Sequence, residues 1–156
     1  MYEFATSNKI IFGRGSFESL KEETKDIGKK ALIVTGKKFL KESGLKERLE
    51  GILTSNKIEW VYFDGIPSDP EVGLVDEGRR IAKENRCDFV IGIGGGSSID
   101  VAKAIAVLFD KPLKTIEYIG GVKIGKKGIP CIAIPTTSGT GSEVTKNSVL
   151  TDPERK

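Results

Sequence analysis

Short apolar runs alternate along the chain with segments whose apolar residues are spaced for one face of a helix. The apolar runs predict strands at residues 9–12, 31–35, 58–63, 88–93, 129–135 and 147–151. The helical spacing predicts helices at residues 16–25, from 45 onward, 71–84 and 99–108. Regular alternation of strand and helix predicts an α/β fold of the Rossmann-like, doubly wound type, with a mainly parallel sheet.

Turn-forming residues separate these elements. The continuous apolar runs at 31–35 and 88–93 are typical of strands buried on both faces, and they are followed by Gly36 and by the glycines that begin at Gly94. Ser16 is the predicted N-cap of the first helix. No internal repeat or linker interrupts the pattern, so residues 1–156 are predicted to form one domain. Because the sequence stops in a turn, we expect it to be a fragment of a longer protein.

Composition favours a globular cytoplasmic protein. Hydrophobic residues make up 38% of the chain and charged residues 30%, and no apolar run approaches the length of a membrane span. No secretory signal pattern is present at the N-terminus, and a membrane partner is not expected. Cys87 and Cys131 lie in apolar surroundings and are predicted to be buried free thiols.

Charge and residue usage exclude several function classes. The formal net charge is +3, and the lysines are scattered instead of forming a basic stripe, so nucleic-acid binding is not expected. There is no histidine in the sequence, which removes Ser-His and Cys-His nucleophilic catalysis as well as imidazole metal ligands. An enzyme built from these residues must work by carboxylate, lysine or cofactor chemistry.

A glycine loop follows the predicted strand 88–93. Gly94, Gly95 and Gly96 let the backbone approach a ligand closely, and Ser97 and Ser98 add hydroxyl groups. The helix that follows presents free N–H groups and the positive end of its dipole, which suits a pyrophosphate. The alternative is a plain tight turn with Ser97 as the helix cap. Neither a Walker loop nor a regular dinucleotide fingerprint is present, since Ser97 stands where the third glycine belongs and the strand is a late one.

A second polar loop follows the predicted strand 129–135. Residues 136–145 contain four threonines and two glycines, and ligands of open α/β sheets bind beyond the carboxyl ends of the strands. Both loops are therefore expected at the same binding edge. The alternative for this segment alone is a solvated surface loop.

Taken together, the two loops resemble the iron-containing (group III) alcohol dehydrogenase family. The resemblance rests on Gly94-Gly95-Gly96-Ser97-x-x-Asp100-x-x-Lys103 and on Pro135-Thr136-Thr137-x-Gly139-Thr140-x-x-Glu143-Val144-Thr145. Ile11-Phe12-Gly13-x-Gly15 and Leu150-Thr151-Asp152-Pro153 fit the same family. The resemblance runs from about residue 10 to the end of the sequence.

The resemblance implies an NAD(P)-binding α/β domain over residues 1–156, without the helical C-terminal domain of the family. It implies hydride transfer between an alcohol or aldehyde substrate and NAD or NADP. It also implies the cofactor-binding residues Gly94, Gly95, Gly96, Ser97, Asp100, Thr136, Thr137, Thr140, Thr145 and Val149. The alternative for Asp100 is a surface ion pair with Lys103, one helical turn away.

One departure from the family bears on the coenzyme. Many members have an aspartate after the strand equivalent to 31–35, where it can bond the adenosine ribose, and this chain has Gly36 followed by Lys37 and Lys38. A glycine leaves space for a 2′-phosphate and a lysine supplies countercharge, so we predict a preference for NADP(H). The alternative is that Gly36 starts a helix and the lysines are solvated.

The family's metal, iron or zinc, is held by an aspartate and histidines of the C-terminal domain, so the resemblance places no metal ligand and no catalytic residue in this chain. Dehydrogenase turnover by these residues alone is expected to be negligible. Glycerol dehydrogenase and dehydroquinate synthase, relatives that share parts of the glycine loop, are alternatives to an alcohol dehydrogenase. A nucleotide-binding module without catalysis and a flavodoxin-like phosphate binder remain alternatives.

The predicted strand 9–12 is hypothesised to pair across a homodimer.

Overall fold

The fold is organised around one four-stranded parallel sheet. The computed structural model describes residues 7–37, 39–119, 121–125 and 127–154. The sheet order is β2-β1-β3-β4, and each neighbouring pair is parallel. The strands are β1 (Lys30–Thr35), β2 (Glu59–Phe63), β3 (Phe89–Gly94) and β4 (Cys131–Pro135). The helices are a 3₁₀ turn (Ser16–Ser19), α1 (Leu20–Glu23), α2 (Phe39–Glu42), α3 (Leu45–Ser55), α4 (Val72–Glu84), α5 (Gly96–Leu108) and α6 (Thr115–Ile119).

Two hydrophobic layers cover the sheet, one on each face. Ala31 and Ile33 of β1 belong to the cluster that contains α1 and α3, whereas Leu32 and Val34 belong to the cluster that contains α4 and α5. Successive strand residues point to opposite faces, so a strand covered on both sides must be apolar throughout. Burial of each such aliphatic side chain contributes about 1.5–3 kcal/mol. The continuous apolar runs in the sequence are the direct result.

Gly92 determines how closely α5 packs on β3. A methyl group at Gly92 would lie 2.6 Å from the Cβ atom of Ala102 and 3.4 Å from the Cα atom of Ile99. Both of those residues are fully buried in α5. The small residues in the strand and in the helix therefore permit a close approach, which fixes the position of the N-terminus of α5 over the end of β3.

The structure confirms the predicted strands in the middle of the chain and the parallel Rossmann-like sheet. It also confirms the long helices, but α5 begins at Gly96, earlier than the predicted residue 99. Ser16 is not an N-cap: it lies inside the 3₁₀ turn, which Gly15 precedes with φ 79°. The short helices α2 and α6 were not predicted.

Two predicted strands are wrong. Residues 9–12 have no strand assignment, and Phe12 is 99% exposed, because no sheet neighbour lies beside this segment in the part of the chain described. Its role in a homodimer stays a prediction. Among the described residues of the predicted strand 147–151, only Thr151 forms a bridge, with Glu71: its N–H donates to the Pro70 carbonyl and its carbonyl accepts the Val72 N–H. The Val149 N–H donates to the Asp100 carboxylate and is not available to a neighbouring strand.

The two cysteines differ in their surroundings. Cys87 is buried as predicted, and desolvation raises the pKa of its thiol, an effect opposed by Lys30. Cys131 is exposed, so its predicted burial is wrong; it lies on β4, which within the described residues has β3 as its one sheet neighbour. Among the described helices, none combines the length and the apolar character needed to cross a lipid bilayer.

The packing of α5 on β3 predicts opposite effects for two glycine substitutions. We expect Gly92→Ala to lower the free energy of unfolding by about 1–3 kcal/mol, because the added methyl group has no room against Ala102. Gly51→Ala lies in the exposed interior of α3, where no atom of the described residues is within 4 Å of the new methyl group, and should raise it by about 0.5–1 kcal/mol. Urea denaturation of both variants measures this, and equal effects would contradict the packing argument.

Candidate functional site

The loops that follow the strands gather at one edge of the sheet. Thr35 of β1 is in register with Ile93 of β3, and Gly94 is in register with Pro135 of β4. The predicted glycine loop and the predicted threonine loop therefore lie side by side, as expected for parallel strands. β1 has β2 on one side and β3 on the other, so the strand order reverses between β1 and β3. Crevices at such switch points are where doubly wound folds bind ligands.

The glycine loop places the N-terminus of α5 at this edge of the sheet, with no side chain capping its N–H groups. Gly94 has φ +148°, a conformation that favours glycine, and a methyl group there would lie 2.9 Å from the Ser98 hydroxyl. Gly95 is the N-cap residue, with extended backbone and no side-chain capping bond. The alternative in which Ser97 caps the helix is therefore wrong. Because the first N–H groups of a helix have no intrahelical acceptor, this end of α5 presents donors and the positive end of the helix dipole.

The threonine loop packs directly against the glycine loop. The Thr136 N–H donates to the Gly94 carbonyl at 2.8 Å. A methyl group on Gly95 would lie 3.5 Å from Thr137 Oγ1, and one on Gly96 would lie 3.0 Å from Ser142 Oγ and 3.3 Å from Thr140 Cβ. The three hydroxyl-bearing residues and the two glycines thus lie in close contact at the start of α5, and we call this cluster the cradle.

Asp100 and Lys103 are not a solvated surface pair. They do pair one turn apart on α5, with 3.1 Å between Oδ1 and Nζ, but their side chains are only 7% and 17% exposed. The other carboxylate oxygen of Asp100 accepts the Val149 N–H at 3.1 Å. Lys103 donates to backbone carbonyls of the threonine loop and of the segment after it, at Ser142, Thr145 and Asn147.

The remaining predicted residues differ in their exposure and in their neighbours. Thr136 is half-buried, whereas Thr137, Thr140 and Thr145 are exposed. Val149 is 76% exposed. Thr137 and Thr140 lie beside the glycine loop, whereas Thr145 and Val149 are attached through their backbones to Lys103 and Asp100 of α5. The role of all these residues toward a ligand stays a prediction.

The end of β1 provides the second side of the crevice. Gly36 is half-buried, and a methyl group there would have its nearest neighbour, the Ile66 carbonyl oxygen, at 3.8 Å. Lys37 is exposed, and its aliphatic stem packs beside Gly65. Space for a substituent and a cation are therefore both present after β1. Lys38, which the sequence reasoning also used, lies outside the described residues.

A third loop, residues 64–70, lies at this edge; the sequence predicts it as a turn-rich loop but does not by itself assign it to the site. The Ser97 hydroxyl donates to the Ser68 carbonyl at 2.5 Å, so it is engaged within the protein. The Ile66 N–H donates to the Thr35 carbonyl, which holds the same loop, residues 64–70, against the end of β1. The sequence contains the information needed to place the loop at this edge: residues 64–70 are rich in turn-forming residues and follow a parallel strand, so they must start at the carboxyl edge of the sheet.

A separate groove of about 920 Å³ lies along β4, and none of the residues from Gly94 to Ser97 line it. Its walls include Ile132 and Ile134, Phe17 and the side chains of Lys103 and Glu143. Oε2 of Glu143 is buried without a hydrogen-bond partner among the described residues.

The residues described also contain no cluster of three or more His, Cys, Asp or Glu side chains that could hold a metal ion, so they do not fit a metal centre.

The chain is similar to known dehydrogenases over nearly its whole length. Residues 7–156 match the profile of a family described as iron-containing alcohol dehydrogenase. The chain is 39% identical to an NAD-dependent methanol dehydrogenase of Bacillus methanolicus, covering 100% of this chain and 41% of the relative. It is 37% identical to an NADPH-dependent butanol dehydrogenase of Clostridium saccharobutylicum, covering 97% of this chain and 39% of the relative.

Solved structures of similar dehydrogenases share this fold. The crystal structure of an NADH-dependent butanol dehydrogenase from Thermotoga maritima superposes with a TM-score of 0.90 at 33% identity, covering 99% of this chain and 39% of the other. The chain thus spans about 40% of the length of these relatives.

The engagement of Ser97 with the neighbouring loop predicts a local effect of its removal. Ser97→Ala should lower the free energy of unfolding by about 0.5–1.5 kcal/mol, because one side-chain hydrogen bond to the Ser68 carbonyl is lost. Amide hydrogen exchange should accelerate in residues 64–70 and stay constant in β3. Ser138→Ala, in the exposed part of the threonine loop, is the control. Unchanged exchange in residues 64–70 would show that the Ser97 bond does not hold that loop.

Proposed function

Because this chain belongs to the iron-containing alcohol dehydrogenase family, we propose that residues 1–156 form the domain that binds NAD(P) in a dehydrogenase acting on an alcohol and aldehyde pair. The observation that carries the proposal is the cradle between the open N-terminus of α5 and the threonine loop. There, Gly95 and Gly96 lie against Thr137, Thr140 and Ser142 and carry no side chain that would cover the first N–H groups of the helix.

The cradle suits the pyrophosphate of a dinucleotide. An anion at the N-terminus of a helix of 13 residues meets unpaired N–H donors and the positive end of the dipole. Glycines at Gly95 and Gly96 let phosphate oxygens reach those donors without meeting a side chain. In this arrangement Ser97 contributes its backbone N–H, since its hydroxyl is bonded to the Ser68 carbonyl.

The threonine loop supplies the polar wall of the proposed site. Thr136, Thr137, Thr140 and Thr145 line the bound nucleotide, and Val149 offers an exposed apolar surface to a flat ring. The nicotinamide, when bound, supplies the hydride chemistry. The chain's own residues bind and orient the dinucleotide at the carboxyl edge of the sheet. We assign no substrate or metal contact to them, whether the metal of the complete enzyme is iron or zinc.

For the coenzyme, we propose that Gly36 and Lys37 favour NADP(H). Relatives of similar identity are named for NAD and for NADPH, so family membership alone leaves this question open. The space beside Gly36 and the exposed Lys37 at the end of β1 support a 2′-phosphate there, because a cation gives that group a charge-assisted hydrogen bond.

Closing the cradle should abolish most of the dinucleotide affinity. Gly96→Ala is expected to weaken binding by about tenfold or more, because its methyl group would occupy space beside Ser142 Oγ and Thr140 and obstruct the helix N-terminus. Gly73→Ala is the matched control, in the first turn of α4, where nothing lies within 4 Å of the added methyl group. Calorimetric titration with NADPH and NADH measures both, and equal affinities in the two variants would contradict the proposed site.

The coenzyme preference has its own test. Lys37→Met should weaken NADPH binding by about tenfold, because a charge-assisted hydrogen bond is lost, and should leave NADH binding nearly unchanged. Gly36→Asp, for which there is room, should reverse the preference toward NADH by repelling the 2′-phosphate. Lys21→Met on α1 removes an exposed charge elsewhere and serves as the control. Equal loss of both dinucleotides in Lys37→Met, or no loss, would refute the assignment.

A further inference from the structure

Lys103 makes an unusual set of contacts for a lysine on a helix surface. Its ammonium group donates to the carbonyl oxygens of Ser142 at 2.7 Å, of Thr145 at 3.2 Å and of Asn147. An ammonium group has three donors, so these three acceptors use its whole capacity. The side chain is 17% exposed, and the bond to the Ser142 carbonyl is partly withdrawn from water, which strengthens a charge-assisted bond.

Asp100 completes the arrangement from one turn earlier on α5. Its Oδ1 atom lies 3.1 Å from the Lys103 nitrogen, in an ion pair whose angle is not that of a hydrogen bond. Its Oδ2 atom accepts the N–H of Val149 at 3.1 Å. Both oxygens therefore face groups of the protein, and the residue as a whole is 5% exposed.

The segment held by this pair contains two of the proposed nucleotide-lining residues. Between the turn at residues 142–144 and the bridge at Thr151, the chain has no helix or strand assignment. Thr145 and Val149 lie in that interval, and both are exposed. The Lys103 and Asp100 bonds attach its backbone to α5 at both ends of the interval, through the Thr145 carbonyl and the Val149 N–H.

We propose that Lys103 and Asp100 are positioning residues, which clasp residues 142–149 onto α5 and so set Thr145 and Val149 at the distance a dinucleotide needs. The inference rests on the proposed function, because it concerns how the same site is assembled. Asp100 then acts through the Val149 N–H and through Lys103 and not by direct contact with the cofactor. An ordered loop binds more tightly because the entropy of fixing it is lost on folding instead of on binding.

The chain contains a matched arrangement away from the site. Asp76 and Arg79 also pair one turn apart, on α4, at 2.8 Å. Arg79 donates to the carbonyls of Lys111 and Leu113, and Asp76 accepts the N–H of Thr115. This second clasp has the same chemistry and fastens a different loop, so it is a control for any general effect of removing a buried charge.

The experiment compares Lys103→Met with Arg79→Met by amide hydrogen exchange and by titration with NADH and NADPH. In Lys103→Met, exchange in residues 142–149 should accelerate about tenfold, with β1 and β3 unchanged, and both dinucleotides should bind about tenfold more weakly. In Arg79→Met, exchange should accelerate in residues 111–115, and both affinities should stay at the wild-type value.

One further readout separates positioning from general destabilisation. Saturating NADH should restore part of the lost protection of residues 142–149 in Lys103→Met, because ligand and clasp stabilise the same loop arrangement. If Lys103→Met does not fold, Asp100→Asn takes its place. It keeps an acceptor for the Val149 N–H and removes the charge facing Lys103, so the same effects are expected at smaller size.

Two results would overturn the inference: unchanged exchange of residues 142–149 when Lys103 is replaced, or a loosened loop with wild-type affinity for both dinucleotides. If the wild-type chain itself binds neither NADH nor NADPH, the proposed function fails. The clasp is then judged by the exchange of residues 142–149 alone.

Discussion

The parallel pairing of β3 with both β1 and β4 is the constraint on which the rest of the structure depends. The carboxyl ends of parallel neighbours lie at one edge of the sheet, so the loops that follow the three strands are adjacent there. The close packing of α5 at Gly92 then fixes the helix N-terminus over the same point. The proposed ligand site, made of backbone N–H groups and hydroxyls, depends on these two facts.

The irregular segments are held by a repeated device. On α4 and on α5, an aspartate and a cation one turn apart reach across to a loop, the aspartate accepting an N–H and the cation donating to carbonyls. Buried backbone groups need partners, and a loop cannot supply them from a ladder of its own. The pair on the helix satisfies them, and the charges neutralise each other, so that neither is buried alone.

Some strands and helices of this fold could be predicted from the sequence, whereas the strand order, the start of α5 and the contacts of Lys103 could not, for physical reasons. β1 and β3 could be predicted because a continuous apolar run at 31–35 or 88–93 is stable only when both faces are covered. The position of β3 beside β1 could not, because strand order depends on tertiary packing. Gly96 to Ser98 are weak helix formers, so the start of α5 was placed too late. The partners of Lys103 are backbone carbonyl oxygens. Every residue has one, so these contacts could not be predicted from residue types.

The two edges of the sheet are protected to different degrees. β2 carries the exposed Glu59, which pairs with Lys30. The residues of β4 are Cys131, Ile132, Ala133, Ile134 and Pro135, without a charge. A charged side chain deters another chain from pairing with an edge, since pairing would strip it of water. A further strand that paired with this sheet is therefore expected to add at β4 and not at β2.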